Sequence, residues 1–163
     1  MTKVYYTSYK DEKKQSQAGR VLLDFVLRNY YGIDGYTLST SDNGKPYIEG
    51  DPVFFNISHS AGVVVLAVSE GPVGVDTEPI RDIRRQVIER FTGRDIADPA
   101  DRVRAWIEHE SYGKMTGEGI AAAEPKAPHA FHHLRITKDG STHYVCVCTA
   151  AQDDITLCSV PLP

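Results

Sequence analysis

Apolar residues along this chain follow two different periods. Between Asp11 and Tyr31, Val21, Leu22, Phe25, Val26 and Tyr30 recur at helical spacing, and Gly32 supplies a stop. A short strand, Val4 to Tyr6, precedes this helix. The polar stretch Ser39 to Gly44 is turn chemistry. Three strand-length runs follow: Val53 to Ile57, Val63 to Val68 and Val73 to Thr77. Turn residues at Ser60 to Gly62 and Glu70 to Pro72 separate them, a pattern that predicts an antiparallel meander. Asp82 to Phe91 reads as a second helix. Asp98-Pro99 is a cap and first-turn pair that opens a third, running to about Thr116 and stopped at Gly117. His133 to Thr137, Tyr144 to Cys148 and Ile155 to Val160 complete the set as strands.

Helices and strands are grouped rather than alternating, so the fold class is α+β. The order β-α-β-β-β is followed by α-α-β-β-β, without a strong sequence repeat. We expect two similar halves, residues 1–78 and 79–163, in one compact unit with a pseudo-twofold arrangement. The stretch Ala121 to Pro128 is the nearest thing to a linker.

Composition narrows the partners. Apolar residues make up 41% of the 163 positions, enough to bury a core and too many for a disordered chain. A net charge of −4 disfavours a nucleic-acid partner, which calls for a basic surplus, but leaves room for a local basic pocket. No apolar run approaches the ~20 residues of a membrane span, and no signal peptide is visible at the N-terminus. The three cysteines, Cys146, Cys148 and Cys158, are odd in number and gathered near the end of the chain. They read as reduced thiols in a cytoplasmic protein. Cys146 and Cys148 alternate with apolar residues as strand side chains do, and lack the paired Cys-x-x-Cys spacing of a zinc site.

Four constellations could carry chemistry. In Val73-Gly74-Val75-Asp76-Thr77-Glu78, the period of two puts Asp76 and Glu78 on one strand face. Neighbouring carboxylates repel unless a cation lies between them, and oxygen ligands suit Mg²⁺. A strand end with two solvated acids gives the same pattern. In the segment Trp106 to Lys114, Trp106, Glu110 and Lys114 share one helix face, either as a framed acid and base or as a plain surface ion pair. Phe55-Asn56-Ile57-Ser58-His59-Ser60 closes an apolar strand with hydroxyls and an imidazole that can hold a phosphate, or that simply bond locally in a turn. No Gly-x-Ser-x-Gly elbow surrounds Ser58, which disfavours a serine hydrolase. Gly44-Lys45-Pro46 is the fourth, a lysine held in a turn.

Taken together and in order, these segments resemble the phosphopantetheinyl transferase family in its surfactin-type branch. The family pattern is a Gly-Lys-Pro turn, Asn-Ile-Ser-His-Ser, Val-Gly-Val-Asp-x-Glu, and a Trp-x-x-Lys-Glu helix. Arg20-Val21-Leu22-Leu23 resembles its Arg-x-Leu-Leu, and the closing strands are also similar, so the resemblance spans nearly the whole chain. It implies transfer of the 4′-phosphopantetheine group of coenzyme A to a serine of an acyl or peptidyl carrier protein, releasing 3′,5′-ADP. Asp76, Glu78 and Glu110 would hold Mg²⁺, with Mn²⁺ the other candidate. Glu110 would take the serine proton and Lys114 would stabilise phosphate charge. Ser58 and His59 would contact the 3′-phosphate of coenzyme A, and Arg20 and Lys45 its nucleotide end. The implied architecture is a pseudo-dimeric monomer with the coenzyme between its halves.

This chain departs from the pattern at His109, where the family carries Lys, and is shorter than typical members. Gly113 inside the third helix costs ~1 kcal/mol relative to Ala. These departures keep a second reading open, a non-catalytic relative that binds coenzyme A or a carrier protein. A Mg²⁺-dependent nuclease fits poorly, because Glu110 and Lys114 are four apart on a helix and the chain is acidic.

Overall fold

The computed structural model describes residues 1–50, 52–121, 127–138 and 140–161. Residues 122–126, inside the linker-like stretch, lie outside the described residues. The elements run β1 (Thr2–Ser8), a 3-10 turn (Glu12–Lys14), α1 (Gln15–Tyr31), β2 (Leu38–Thr40), β3 (Pro46–Ile48), β4 (Phe54–Ser60), β5 (Val63–Ser69) and β6 (Val73–Pro79). Then come α2 (Arg85–Thr92), α3 (Pro99–Thr116), a second 3-10 turn (Gly119–Ala121), β7 (Ala130–Lys138), β8 (Ser141–Thr149) and β9 (Ile155–Ser159). The class is α+β, as expected. No described helix is long and apolar enough to cross a membrane.

The strands form a sheet ordered β4-β5-β1-β9, a sheet ordered β6-β8-β7 and a small β2–β3 hairpin. Only the β1–β9 pairing is parallel among the pairings within these sheets. β4-β5-β1, with α1 after β1, and β7-β8-β6, with α3 after β6, share one connectivity. Strand pairing crosses the expected division at residue 78: β6 pairs with β8, and β9 returns to β1.

The expected meander stops after two strands. β4 and β5 form a hairpin, but β6 leaves that sheet and joins β8. Burial explains the departure. Every residue of β5 is buried, so it needs cover on both faces. Val64, Leu66 and Val68 pack against Leu22, Leu23, Val26 and Leu27 of α1. Val63, Val65 and Ala67 pack against Val73, Val75, Val145 and Val147 of the second sheet. Continuing as the next strand of its own sheet, β6 would not have covered that second face. The buried stripe of α1 is also turned from its expected position: Val21 and Tyr30 are exposed, and Leu23 and Leu27 take the core positions.

α3 covers the far side of the second sheet, with Ile107, Tyr112 and Met115 against Cys146 and Cys148. Its start is capped as the sequence predicts: Asp98 accepts from the amides of Ala100 and Asp101, with Pro99 in the first turn. Cys146, Cys148 and Cys158 are free thiols.

Two glycines set how closely α3 can sit. A Cβ at Gly74 of β6 would lie 2.0 Å from the Ser111 carbonyl oxygen and 2.4 Å from the Met115 nitrogen. A Cβ at Gly113 would lie 2.0 Å from the Gly119 carbonyl oxygen. Gly113 therefore permits a close backbone approach, which outweighs its weak helix propensity. Gly74→Ala and Gly113→Ala should each destabilise the protein by ~1–3 kcal/mol or more in denaturant unfolding, because backbone must move to admit the methyl. Gly71→Ala, with nothing within 4 Å of the new Cβ, should change stability little.

Candidate functional site

The strand period and the helix period converge on one cavity. On β6, Asp76 shares the face of Gly74, which is turned to α3. On α3, Trp106, Glu110 and Lys114 line up at four-residue spacing. On β4, Asn56, Ser58 and Ser60 alternate toward β6 and serve its open edge. Asn56 Oδ1 accepts from the Val75 amide at 2.9 Å and Ser58 Oγ from the Thr77 amide at 3.3 Å, while the Ser60 hydroxyl donates to Glu78 Oε2 at 3.0 Å. Side chains here take the place of a neighbouring strand's carbonyls.

The result is a cavity of about 390 Å³ whose lining includes Ser58, His59, Asp76, Glu78, Glu110 and Lys114. At its floor, Asp76 is 5% exposed. Its Oδ1 accepts from Lys114 Nζ at 2.6 Å and from Ser58 Oγ at 2.9 Å. Its Oδ2 is buried with no hydrogen-bond partner. Burial pushes the Asp76 carboxyl above the usual range against the opposing pull of Lys114. Glu110, half-buried, is also pushed up, first by burial and then by the charge of Asp76. Glu78 is clasped by Arg81, whose Nε and Nη2 donate to its two oxygens at 3.1 and 2.9 Å.

Among the described residues, no three carboxylate, imidazole or thiol groups stand close enough to make a ready metal cluster. The donor set still fits a divalent cation that takes part of its shell from elsewhere. Mg²⁺ is commonly bound by one or two carboxylates together with substrate phosphates. The unpartnered Oδ2 of Asp76 is a buried anionic oxygen with coordination to spare.

Of the residues singled out by sequence, Ser58, His59, Asp76, Glu78, Glu110 and Lys114 line this one cavity. Lys45 lines a smaller one of about 200 Å³ that shares Lys114 with it. The Lys45 ammonium donates to the carbonyls of Val73 at 3.1 Å and Met115 at 2.9 Å, tying the β2–β3 turn to β6 and α3. Arg20 is not among the residues lining either cavity. It sits exposed on α1, 3.5 Å from Asp24 and over the Tyr36 ring. Arg81, Asn56 and Ser60 were not singled out individually. The alternation of Asn56, Ser58 and Ser60, and the three-residue step from Glu78 to Arg81, were the available signals.

The chain is similar to curated 4′-phosphopantetheinyl transferases. It is 34% identical to psf-1 of Bacillus pumilus over 123 residues, covering 68% of this chain and 53% of that protein. The transferase gsp of Aneurinibacillus migulanus is 31% identical over 129 residues, covering 72% of this chain and 54% of gsp. Sfp of Bacillus subtilis (strain 168) is 29% identical over 126 residues, covering 69% and 56%. Over about 70% of its length the chain resembles the Sfp-like family of 4′-phosphopantetheinyl transferases. No family model matches it. The chain spans about half the length of the curated relatives it matches.

Against the Sfp-like pattern, His109 stands where the helix motif has Lys. Its ring packs near Phe91 and Trp106, and Nε2 lies 2.9 Å from the Ile120 carbonyl oxygen. His109 thus braces α2 and the turn after α3, and is not among the residues lining the cavity.

Burial lowers the Lys45 ammonium to about 8. Because the native value lies below the unfolded one, the unfolded chain holds the extra proton between about pH 8 and the ordinary lysine range. Stability should therefore rise with pH across that window. Urea unfolding at successive pH values checks this, and Lys45→Met should flatten the rise.

Proposed function

We propose that this cavity is the active site of a phosphopantetheinyl transferase. In this reading it moves the 4′-phosphopantetheine group of coenzyme A to a serine hydroxyl of an apo acyl or peptidyl carrier protein. The observation that carries the reading is Asp76 Oδ2, a buried carboxylate oxygen with no partner, in a cavity shared with Glu78, Glu110 and Lys114. The likeness to transferases over about 70% of this chain supports the choice of reaction.

Each residue has a part in the balance of the step. Glu110, whose proton affinity is raised by burial, takes the proton from the carrier serine, as a base tuned toward neutrality does. The serine oxygen bonds to the phosphorus that carries the pantetheine arm, and the bond from that phosphorus to the bridging pyrophosphate oxygen breaks. The leaving group is 3′,5′-ADP, and Lys114 stabilises the charge on the phosphates during transfer. Ser58 and His59 contact the 3′-phosphate. Lys45 shapes the smaller cavity at the nucleotide end through its turn, and Arg20, on α1, is assigned no role at the cavity. Asp76, Glu78 and Glu110 would hold Mg²⁺ or Mn²⁺ along with the pyrophosphate, and the ion would supply neutralisation of phosphate charge.

The shared connectivity around α1 and α3 supports a pseudo-twofold relation between halves and a monomeric protein. Buried free thiols at Cys146 and Cys148 support a reducing, cytoplasmic setting. A second reading, a relative that binds coenzyme A or a carrier without transfer, is favoured by one observation: Asp76 and Glu78 are each already paired with a cation, Lys114 and Arg81.

Intact-mass spectrometry of apo carrier proteins incubated with this protein, coenzyme A and Mg²⁺ separates the two. The transferase reading expects a gain of one phosphopantetheine, abolished by EDTA and by Asp76→Ala, and slowed ~10²–10⁴-fold by Glu110→Gln. Coenzyme A binding by calorimetry without any mass gain supports the binding reading.

A further inference from the structure

We propose that the cleft where the end of β1, the β4–β5 turn and the β7–β8 turn meet is a binding site for a tetrahedral oxyanion, either inorganic phosphate or the phosphoryl end of a small phosphomonoester. The cleft encloses about 250 Å³ and shares no lining residue with the cavity around Asp76. At ~30 Å³ per water it has room for a group of several heavy atoms. The proposal does not rest on the transferase reading.

Three features point to an anion. First, Lys10, just beyond β1, and Lys138, at the end of β7, both line the cleft. Among the described residues, neither has an ion-pair partner. Two ammonium groups around one cleft repel each other and favour an anion between them. Second, Ser8 of β1 and Ser141 of β8 also line the cleft, so hydroxyl-bearing residues come from more than one element.

The third feature is His143, which also lines the cleft and is 1% exposed. Neither ring nitrogen has a hydrogen-bond partner. Backbone groups of Ser60 and Ala61 and the charge of Glu78 also act on the ring from neighbouring segments. Burial holds the imidazole toward its neutral form, which still offers one N–H donor. A buried donor left unpaired is costly, and an oxyanion in the cleft would satisfy it. The two lysines supply the charge, and the imidazole and the serines supply direction. A planar carboxylate presents fewer oxygens to donors spread over three segments than a tetrahedral group does.

The test is residue-resolved NMR of the full chain titrated with inorganic phosphate and, separately, with glycerol phosphate; the two arms distinguish the free ion from a monoester. Saturable shifts centred on Gly62, Ser141 and the His143 ring are expected in at least one arm. In a Lys10→Ala/Lys138→Ala variant the affinity should fall ~10-fold or more, since charge-assisted bonds are lost. Both lysines are surface groups, and an otherwise unchanged spectrum would show that the variant folds. Three outcomes overturn the proposal: no saturable shift in either arm, equal affinity in the double variant, or shifts confined to Ser58 and His59.

Discussion

The contact of the α3 backbone with the β6 backbone at Gly74 governs the geometry of everything around the cavity. With a side chain at Gly74, α3 would stand off from the sheet by the width of a methyl group or more. Lys114 would then lose its 2.6 Å contact with Asp76, which depends on the helix sitting this close. Gly113 plays the matching part on the outer side of the helix, letting the turn at Gly119 close over it. Lys45 fixes the same junction from a third direction, with carbonyls from both β6 and α3 on one ammonium. Charge and packing are thus linked: the helix is held by glycine contacts and a buried amine, and that position aims an acid and a base at a buried carboxylate.

The edge between β4 and β6 supplies the other half of the arrangement. β6 hydrogen-bonds to β8 along one edge, and on the other its amides at Val75 and Thr77 are accepted by side chains of Asn56 and Ser58. Satisfying buried amides this way leaves room that a paired strand would have filled. The space opens beside Asp76 and Glu78, and the same serine that caps an amide also donates to Asp76. The cavity therefore follows from how the two sheets meet, as much as from the acidic residues that line it.

Much of this was legible in the chain. The Asp98-Pro99 start and the Gly117 stop defined α3 almost to the residue, because caps are local chemistry. The period of two on β6 and of nearly four on α3 placed Asp76, Glu110 and Lys114 on usable faces. The partner of β6 was not legible, because an apolar run specifies a strand and not its neighbour, and the turn at Glu70 to Pro72 suits a hairpin equally well. β2 and β3, three residues each, are too short to show a period. Local pattern also could not reveal that Gly113 faces another backbone, that Lys45 would be used internally or that Arg20 would turn to Asp24 and Tyr36. Those are facts of long-range packing. His143 had no sequence signal, since the strand read there began only at Tyr144.

We propose that the carboxylates around Asp76 would hold a divalent cation only in company with the phosphates of coenzyme A. No three protein groups converge on their own among the described residues, and Asp76 keeps one oxygen free. The most direct measurement is a Mn²⁺ titration followed by paramagnetic broadening, with and without coenzyme A. The account predicts broadening centred on Ser58, Asp76 and Glu110, with affinity raised ~10-fold or more by the coenzyme, consistent with shared phosphate ligands, and lost in Asp76→Ala. Equal affinity without the coenzyme, or binding indifferent to Asp76, would contradict it.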